Sequence, residues 1–513
     1  MTALASFANN LRSRAGSQPD APAVTFAAAG SPDDTMSYAE LDRLSNRVGH
    51  ALAVLGVAEA DRVAHVGRNR IGYPAVLYGV SKIKATLVGL NWRLTPGELA
   101  PLLADSRPRV IVADDEFTAN VQAALAAAGI AATVVSGDDV EEWASVDDDH
   151  DPGADPVADD IALIFYTSGT TGVPKGVCLT VGAIANNLHR PAPWHMRPHA
   201  AVMVCSPMFH TAGTGWLYLS GFHGAHCVVL RDPAPPAILA GIAEHRAAQA
   251  LLVPTVIQML LDEPALRTTD LSSLETLAYG ASPISSSVLA RAIEAFRCDF
   301  VQAYGMTETG GPITYLRPED HDATDANGRL RSAGRPPDGI EVRVVDPNTG
   351  DTCPPGLFGE VWTRSDQQMT GYLNRPDATA VTLTPGGWLR TGDGGYIDGD
   401  GYLFLTDRLS DVIVTGAENV YPLEVERVLV DHPSIAEATV VGTPHERWGE
   451  TVHAVVVATP GRAIDDADVI TWCRERLAHF KAPTAVTVVE SLPKNPAGKV
   501  VRRIVREPYW STP

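Results

Sequence analysis

Several features are missing from this chain, and each absence removes a class of protein. The six cysteines include no C-x-x-C pair, so neither a disulfide scaffold nor a zinc ribbon is indicated and a reducing compartment is expected. No apolar run reaches about eighteen residues; the nearest, Ala250 to Leu261, is broken by Pro254, Thr255 and Gln258, so no membrane span is expected. Met1 to Gly16 mixes Asn and Arg into its apolar residues, which argues against a secretory leader and for a cytoplasmic protein. Positive charge is short as well. The 40 Lys and Arg stand against 61 Asp and Glu, and a net charge of -21 disfavours nucleic acid as a partner. No internal repeat is found, which excludes solenoids.

What is present suits several packed cores: 513 residues, 45% apolar and 20% charged, or about three structural units. Between Arg62 and Gly137, β-rich runs at Val63–Val66, Thr86–Leu90, Val110–Ala113 and Ala132–Val135 alternate with helical stretches at Tyr73–Lys82 and Phe117–Ala128. That is the rhythm of an α/β layer. Val146 to Asp160 is rich in Asp and reads as a solvated connector. The alternation resumes with strands at Ile161–Tyr166, Val202–Cys205, His226–Leu230, Leu251–Val253, Thr276–Tyr279 and Phe300–Ala303. Several of these run into polar or glycine-rich turns, where an open α/β sheet places its ligands. Ile340 to Leu405 reads as a small all-β unit, and from Val412 an α+β module follows, with helices at Pro422–Val430 and Asp466–His479.

Four segments carry chemistry. Thr167-Ser168-Gly169-Thr170-Thr171-Gly172-Val173-Pro174-Lys175-Gly176 follows an apolar strand and combines glycines, hydroxyls and a cation, which suits a polyphosphate; its spacing is not that of a Walker A loop. Tyr304-Gly305-Met306-Thr307-Glu308-Thr309-Gly310-Gly311 offers a hydroxyl for phosphate and a carboxylate for Mg²⁺. Thr391-Gly392-Asp393 puts a carboxylate in a tight turn, where Asp393 can accept from ribose hydroxyls, with Arg408 further on. Pro493 to Val500 is a basic loop around Lys499. Singly, each also fits an ordinary turn, a surface ion pair or a solvated tail.

Together and in this order, the four resemble the core motifs of the adenylate-forming superfamily, its acyl-CoA synthetase branch in particular. The resemblance implies an α/β fold: a large N-terminal domain of two α/β subdomains plus a small β-barrel, residues 1–409, then a small mobile α+β C-terminal domain, residues 410–513. It implies that Thr167 to Lys175 holds the β- and γ-phosphates, and that Gly280, Ala281, Gln302, Ala303 and Tyr304 flank the adenine. Thr307 would meet the α-phosphate, Glu308 would bind Mg²⁺, and Asp393 and Arg408 would hold the ribose. Lys499 would stabilise charge as the acid displaces pyrophosphate. After a pivot at Ser410, the segment around Gly416 and Ala417 would line the pantetheine path, with Trp448 a stacking surface for the CoA nucleotide. Family members usually carry Asp or Lys at the pivot and often Gly at the Ala417 position, so both departures touch the thioester step.

In the same likeness Pro207-Met208-Phe209-His210-Thr211-Ala212-Gly213 lines the acyl pocket. Amino-acid-activating relatives usually have Asp where His210 stands, so an acid without an α-amino group is expected, with His210 a neutral wall. Trp216, Tyr218, Met306, Gly310 and Gly311 would complete an apolar cavity. The expected function is an ATP-dependent acid–thiol ligase acting on a carboxylic acid and CoA. A fatty acid is the first expectation, an aryl or alicyclic acid or delivery of acyl-AMP to a separate carrier protein the alternatives, and a homodimer is left open. His195 and His199 have the spacing of a zinc helix, but Pro198 intervenes and no zinc is assigned.

Overall fold

A computed structural model describes the chain except for residues 1–5, 28–32, 168–173, 283, 326–327, 409–410, 416–417, 446–447, 495–499 and 511–513. It divides into two compact units. The first takes Met1–Val342 with Thr363–Leu389, the second Arg343–Trp362 with Arg390–Pro513.

Two sheets organise the first unit. A seven-stranded sheet runs in the order Gly371–Tyr372, Lys175–Thr180, Ile161–Thr167, Thr86–Gly89, Arg62–Val66, Val110–Ala113, Thr133–Ser136. An eight-stranded sheet runs Gly311–Leu316, Asp299–Met306, Thr276–Gly280, Gln249–Leu252, Ala201–Val204, His226–Leu230, Pro22–Ala27, Asp34–Ser37. The central strands pair in parallel and are buried on both faces, which is why Val110–Ala113 and Ala201–Val204 read as unbroken apolar runs. Helices start where local chemistry tells them to. Ser37 with Glu40, and Thr95 with Glu98 beside Pro96, form capping boxes that satisfy the free N–H groups of Tyr38–Val54 and Pro96–Ser106.

The Asp-rich connector is tied down. Arg12 reaches Asp151 at 2.6 Å and Asp155 at 3.0 Å, so part of this acidic stretch answers a cation on the first helix, Phe7–Ser17.

The second unit holds most of a four-stranded sheet in the order Glu341–Val345, Gly359–Arg364, Leu389–Ile397, Leu403–Arg408. It also holds a five-stranded sheet built round the hairpin of Ile435–His445 and Gly449–Ala458, packed with helices Pro422–Val430 and Asp466–Arg474. Two expectations need correction. The stretch Ile340 to Leu405 is not all β: Pro376 at the first helical position starts a short helix, Pro376–Thr382, whose Thr and Val content reads as strand. The helix at Asp466 ends at Arg474 and not at His479, giving way to a short turn, His479–Lys481, whose Lys481 is drawn to Glu424 at 2.7 Å.

Candidate active site

In the first unit, two of the motif segments and Tyr372 meet at one carboxylate. Strands Ile161–Thr167 and Lys175–Thr180 pair antiparallel with Thr167 opposite Lys175; Ser168, Gly169, Thr170, Thr171 and Gly172, expected from the sequence to hold phosphate, lie outside the described residues. Thr167 donates its hydroxyl to Glu308 Oε1 at 3.3 Å. The same oxygen accepts the Tyr372 hydroxyl at 2.9 Å. Glu308 and Tyr372 are only 4% and 7% exposed, so these bonds settle a carboxylate that has little water to turn to. Lys175 Nζ sits 4.2 Å from the centre of the Tyr372 ring, a cation held over a π-face.

The turn carrying Glu308 is itself rigid. Strand Asp299–Met306 ends directly at the turn Thr307–Thr309, where Thr307 is buried and Thr309 Oγ1 accepts from the Met306 N–H at 3.0 Å. The Glu308 carbonyl accepts from the Met369 N–H at 2.9 Å. Gly310 has φ +67° and a Cβ there would lie 1.8 Å from the Gln367 carbonyl oxygen, so only glycine closes this turn.

Gly280, Ala281, Gln302, Ala303 and Tyr304 are brought together at the carboxyl ends of two neighbouring parallel strands, with Gly280 in register with Ala303. Ala281 adopts φ 67°, a left-handed conformation uncommon for alanine, and its side chain is exposed at the strand end. This is the edge at which an α/β sheet receives a nucleotide.

His210 caps the N-terminus of helix Thr211–His223, with its ring 5.6 Å from that of Phe209. Its placement depends on two residues that motif reading did not find. Asn69 Oδ1 accepts from the Met208 N–H at 3.0 Å, while Asn69 Nδ2 donates to the Ser206 and Leu230 carbonyls, each at 3.1 Å. The Tyr73 hydroxyl donates to the Met208 carbonyl at 3.1 Å. Both groups of Met208 are thus held, which fixes the approach to Phe209 and His210. Asn69, Tyr73 and Tyr372 lie far in sequence from the residues they hold, and no local pattern marks them.

Trp216 and Tyr218 are buried in the apolar core, and Met306 packs against that core. Trp194 joins them, edge to face with Trp216 at 5.3 Å. His195 and His199 take left-handed φ values of 48° and 63°, so they do not sit on a helix.

In the second unit, the register of strands Leu389–Ile397 and Leu403–Arg408 sets Asp393 opposite Arg408. The Asp393 N–H donates to Thr391 Oγ1 at 3.1 Å, and Thr391 in turn donates to the Val361 carbonyl at 2.7 Å. Gly416, Ala417, Ser410 and Lys499 lie outside the described residues. The described residues on either side of 495–499 are held in place. Lys494 bridges Val500, the Val501 N–H donates to the Pro493 carbonyl at 2.8 Å, and Arg502 pairs with Glu426 at 2.6 Å and Asp411 at 3.3 Å. Trp448 is 46% exposed between two strands, so it is not an ordinary core tryptophan.

Comparison with known proteins agrees with this assembly. The family model described as AMP-binding enzyme matches residues 11–373, and the AMP-binding enzyme C-terminal domain matches residues 424–499. The chain is 38% identical to the fatty acid–[acyl-carrier-protein] ligase ScoC of Streptomyces coeruleorubidus over 484 residues, 93% of this chain and 92% of that protein. It is 35% identical to a feruloyl-CoA synthase of an Amycolatopsis species over 498 residues, 97% of each. Among solved structures, ATP-bound MatB from Rhodopseudomonas palustris superposes with a TM-score of 0.89 at 30% identity, over 98% of this chain and 99% of that one. The chain therefore belongs to the AMP-binding, adenylate-forming enzyme family, and it is an AMP-forming acid–thiol ligase that works with ATP, Mg²⁺ and CoA.

Proposed function

We propose that the residues above divide the two half-reactions between them. In the first, a carboxylate oxygen of the acid attacks the α-phosphorus of ATP, the bond from that phosphorus to the β-phosphate oxygen breaks, and pyrophosphate leaves with the electron pair. In the second, the CoA sulfur attacks the acyl carbonyl, AMP departs, and the thiol proton passes to water.

The loop from Thr167 to Lys175 cradles the outer phosphates, and Thr307 donates to the α-phosphate. Gly280, Ala281, Gln302, Ala303 and Tyr304 hold the adenine, and Asp393 and Arg408 the ribose. Lys499 places its ammonium where negative charge builds during displacement. A buried carboxylate flanked by hydroxyls is an all-oxygen donor set that fits Mg²⁺, and Glu308 is the residue that would hold it. When bound, that ion supplies charge neutralisation on the phosphates. Residues 1–409 carry the first step, and residues 410–513, turning at Ser410, exchange Lys499 for the Gly416–Ala417 segment and Trp448 in the second.

The observation that carries this reading is the convergence of Thr167 and Tyr372 on Glu308, with Lys175 held over the ring of that same Tyr372. Pyrophosphate release across a panel of carboxylic acids with ATP and Mg²⁺, with and without CoA, tests it. Acid-dependent release sustained by CoA is expected, and release independent of acid would defeat it. A second reading, transfer to a carrier protein, is favoured by the similarity to ScoC. Thioester formation on a phosphopantetheinyl carrier but not on CoA would select it. The workplace is proposed to be the cytoplasm: all six cysteines are free, and among the described residues no helix is long and apolar enough to cross a membrane.

A further inference from the structure

Gln367 is fully buried, and it uses both ends of its side-chain amide. Its Oε1 accepts from Arg190 Nε at 3.2 Å, and its Nε2 donates to the Pro312 carbonyl at 3.0 Å. A guanidinium can only donate and a carbonyl can only accept, so the amide fits one way round, and neither an apolar side chain nor a carboxylate of that length serves both. Arg190 is itself held: Nη2 meets Asp366 at 2.6 Å, and Nη1 donates to the Asp338 carbonyl at 2.7 Å.

The two partners of Gln367 belong to two arms of the site. Helix Val181–His189 begins where strand Lys175–Thr180 ends, and Arg190 follows it, so Arg190 lies on the arm that carries Lys175. Pro312 lies on strand Gly311–Leu316, just past the turn Thr307–Thr309, and so on the arm that carries Glu308. Gln367 joins the two. From it the chain runs on past the same turn: the Met369 N–H donates to the Glu308 carbonyl at 2.9 Å, the Thr370 N–H to the Cys178 carbonyl at 3.1 Å, and the Tyr372 hydroxyl to the Glu308 carboxylate. One short segment thus touches Glu308 at its main chain and at its side chain. An apolar residue at 367 would fill the same space; what the amide adds is a directional link between the arms.

We propose that Gln367 is a positioning residue of the adenylation step. Through the Pro312 carbonyl, and through Met369 and Tyr372, it sets where the Thr307 hydroxyl and the Glu308 carboxylate stand relative to Lys175. This rests on the reading of Glu308 as the residue for Mg²⁺ and Thr307 as the residue for the α-phosphate. A misplacement of such groups by about 1 Å is worth up to about a hundredfold in rate. Gln367 touches no reacting atom, so its effect passes wholly through the turn it holds.

The test measures the Mg²⁺ concentration that half-saturates ATP binding, by calorimetric titration with no acid present, and then single-turnover pyrophosphate release with octanoate and with cinnamate. It uses the intact chain, Gln367→Met, which keeps the volume and loses both bonds, and Gln367→Glu, which keeps the acceptor for Arg190 and loses the donor to Pro312. The Mg²⁺ requirement should rise about tenfold in Gln367→Met and less in Gln367→Glu. Pyrophosphate release should slow about tenfold to a hundredfold while the KM for the acid stays within about twofold. In a Glu308→Gln background the Gln367→Met change should add little, because both act on one carboxylate. A thermal shift reports whether each variant folds; if neither change at 367 does, Arg190→Lys probes the same link from its outer end, with the same rise in Mg²⁺ requirement expected. The titration needs no acid, so it decides even where neither acid is turned over. A folded variant with the Mg²⁺ requirement of the intact chain, or one whose effect is the same with and without the Glu308 carboxylate, would overturn the inference and leave the ligase reading standing. An Mg²⁺ requirement untouched by Glu308→Gln alone would defeat instead the reading of Glu308 on which the inference rests.

Discussion

The Tyr372 hydroxyl donates to Glu308 Oε1 at 2.9 Å while the face of the same ring carries the Lys175 ammonium at 4.2 Å. One side chain, on a two-residue edge strand, thus orients the acid of one motif and the base of another. Tyr372→Phe keeps the ring and loses the hydroxyl. A buried carboxylate deprived of one donor loses about 1–3 kcal/mol, so kcat/KM for pyrophosphate release should fall about fivefold to a hundredfold, with a higher Mg²⁺ requirement. Tyr372→Leu should add a loss of ATP affinity, measured by direct titration, because the cation loses its ring. Equal ATP affinity in the two variants would separate Lys175 from Tyr372.

Lys499→Ala should abolish pyrophosphate release from acid and ATP while leaving thiolysis of a supplied acyl adenylate largely intact, because only the first step builds charge beside the ammonium. Single-turnover assays of each half-reaction check it. Equal loss in both would remove Lys499 from the assigned role.

Asn69→Ala leaves the Met208 N–H and the Ser206 and Leu230 carbonyls without their partner in a site where Asn69 is 5% exposed. Unfolding free energy should drop by about 2–4 kcal/mol. The KM for the acid should rise more than that for ATP, since the residues released lead into Phe209 and His210. Urea denaturation and separate KM values read the two effects, and an unchanged KM for the acid would make Asn69 a stability residue only.

His65 is 2% exposed, and burial first, then the charge of Arg70, depresses its pKa from 6.5 to about 3. The unfolded chain therefore binds a proton that the folded chain refuses. Stability from this group is fully present above about pH 6.5 and is lost as pH falls towards 3, a loss of about 4–5 kcal/mol at the acid end by linkage. Urea midpoints between pH 7 and pH 4 should fall steeply, and His65→Gln should flatten the slope. The same slope in the variant would assign the acid sensitivity elsewhere, His226 being next in line with a pKa near 4.

Contiguous patterns were legible before any coordinates. The helices Tyr73–Lys82 and Pro422–Val430 and the strand His226–Leu230 coincide with their sequence expectations, because periodicity and caps are local properties of the chain. The strand-to-turn passages at Thr167 and Gly280 were legible to within a residue for the same reason, while the strand expected to end at Ala303 runs on to Met306. Helix Pro376–Thr382 was not, since a short helix rich in Thr and Val looks like a strand until its packing is known.

By itself the sequence determined the layered α/β order, the motif residues and the family they resemble, all of which depend on neighbours along the chain. Only the tertiary structure decided that Tyr372 meets Glu308, that Asn69 holds Met208 and that Arg190 meets Gln367. Each of these pairs spans more than about sixty residues, and its partners meet only after separate strands and helices have packed, so no local pattern announces them.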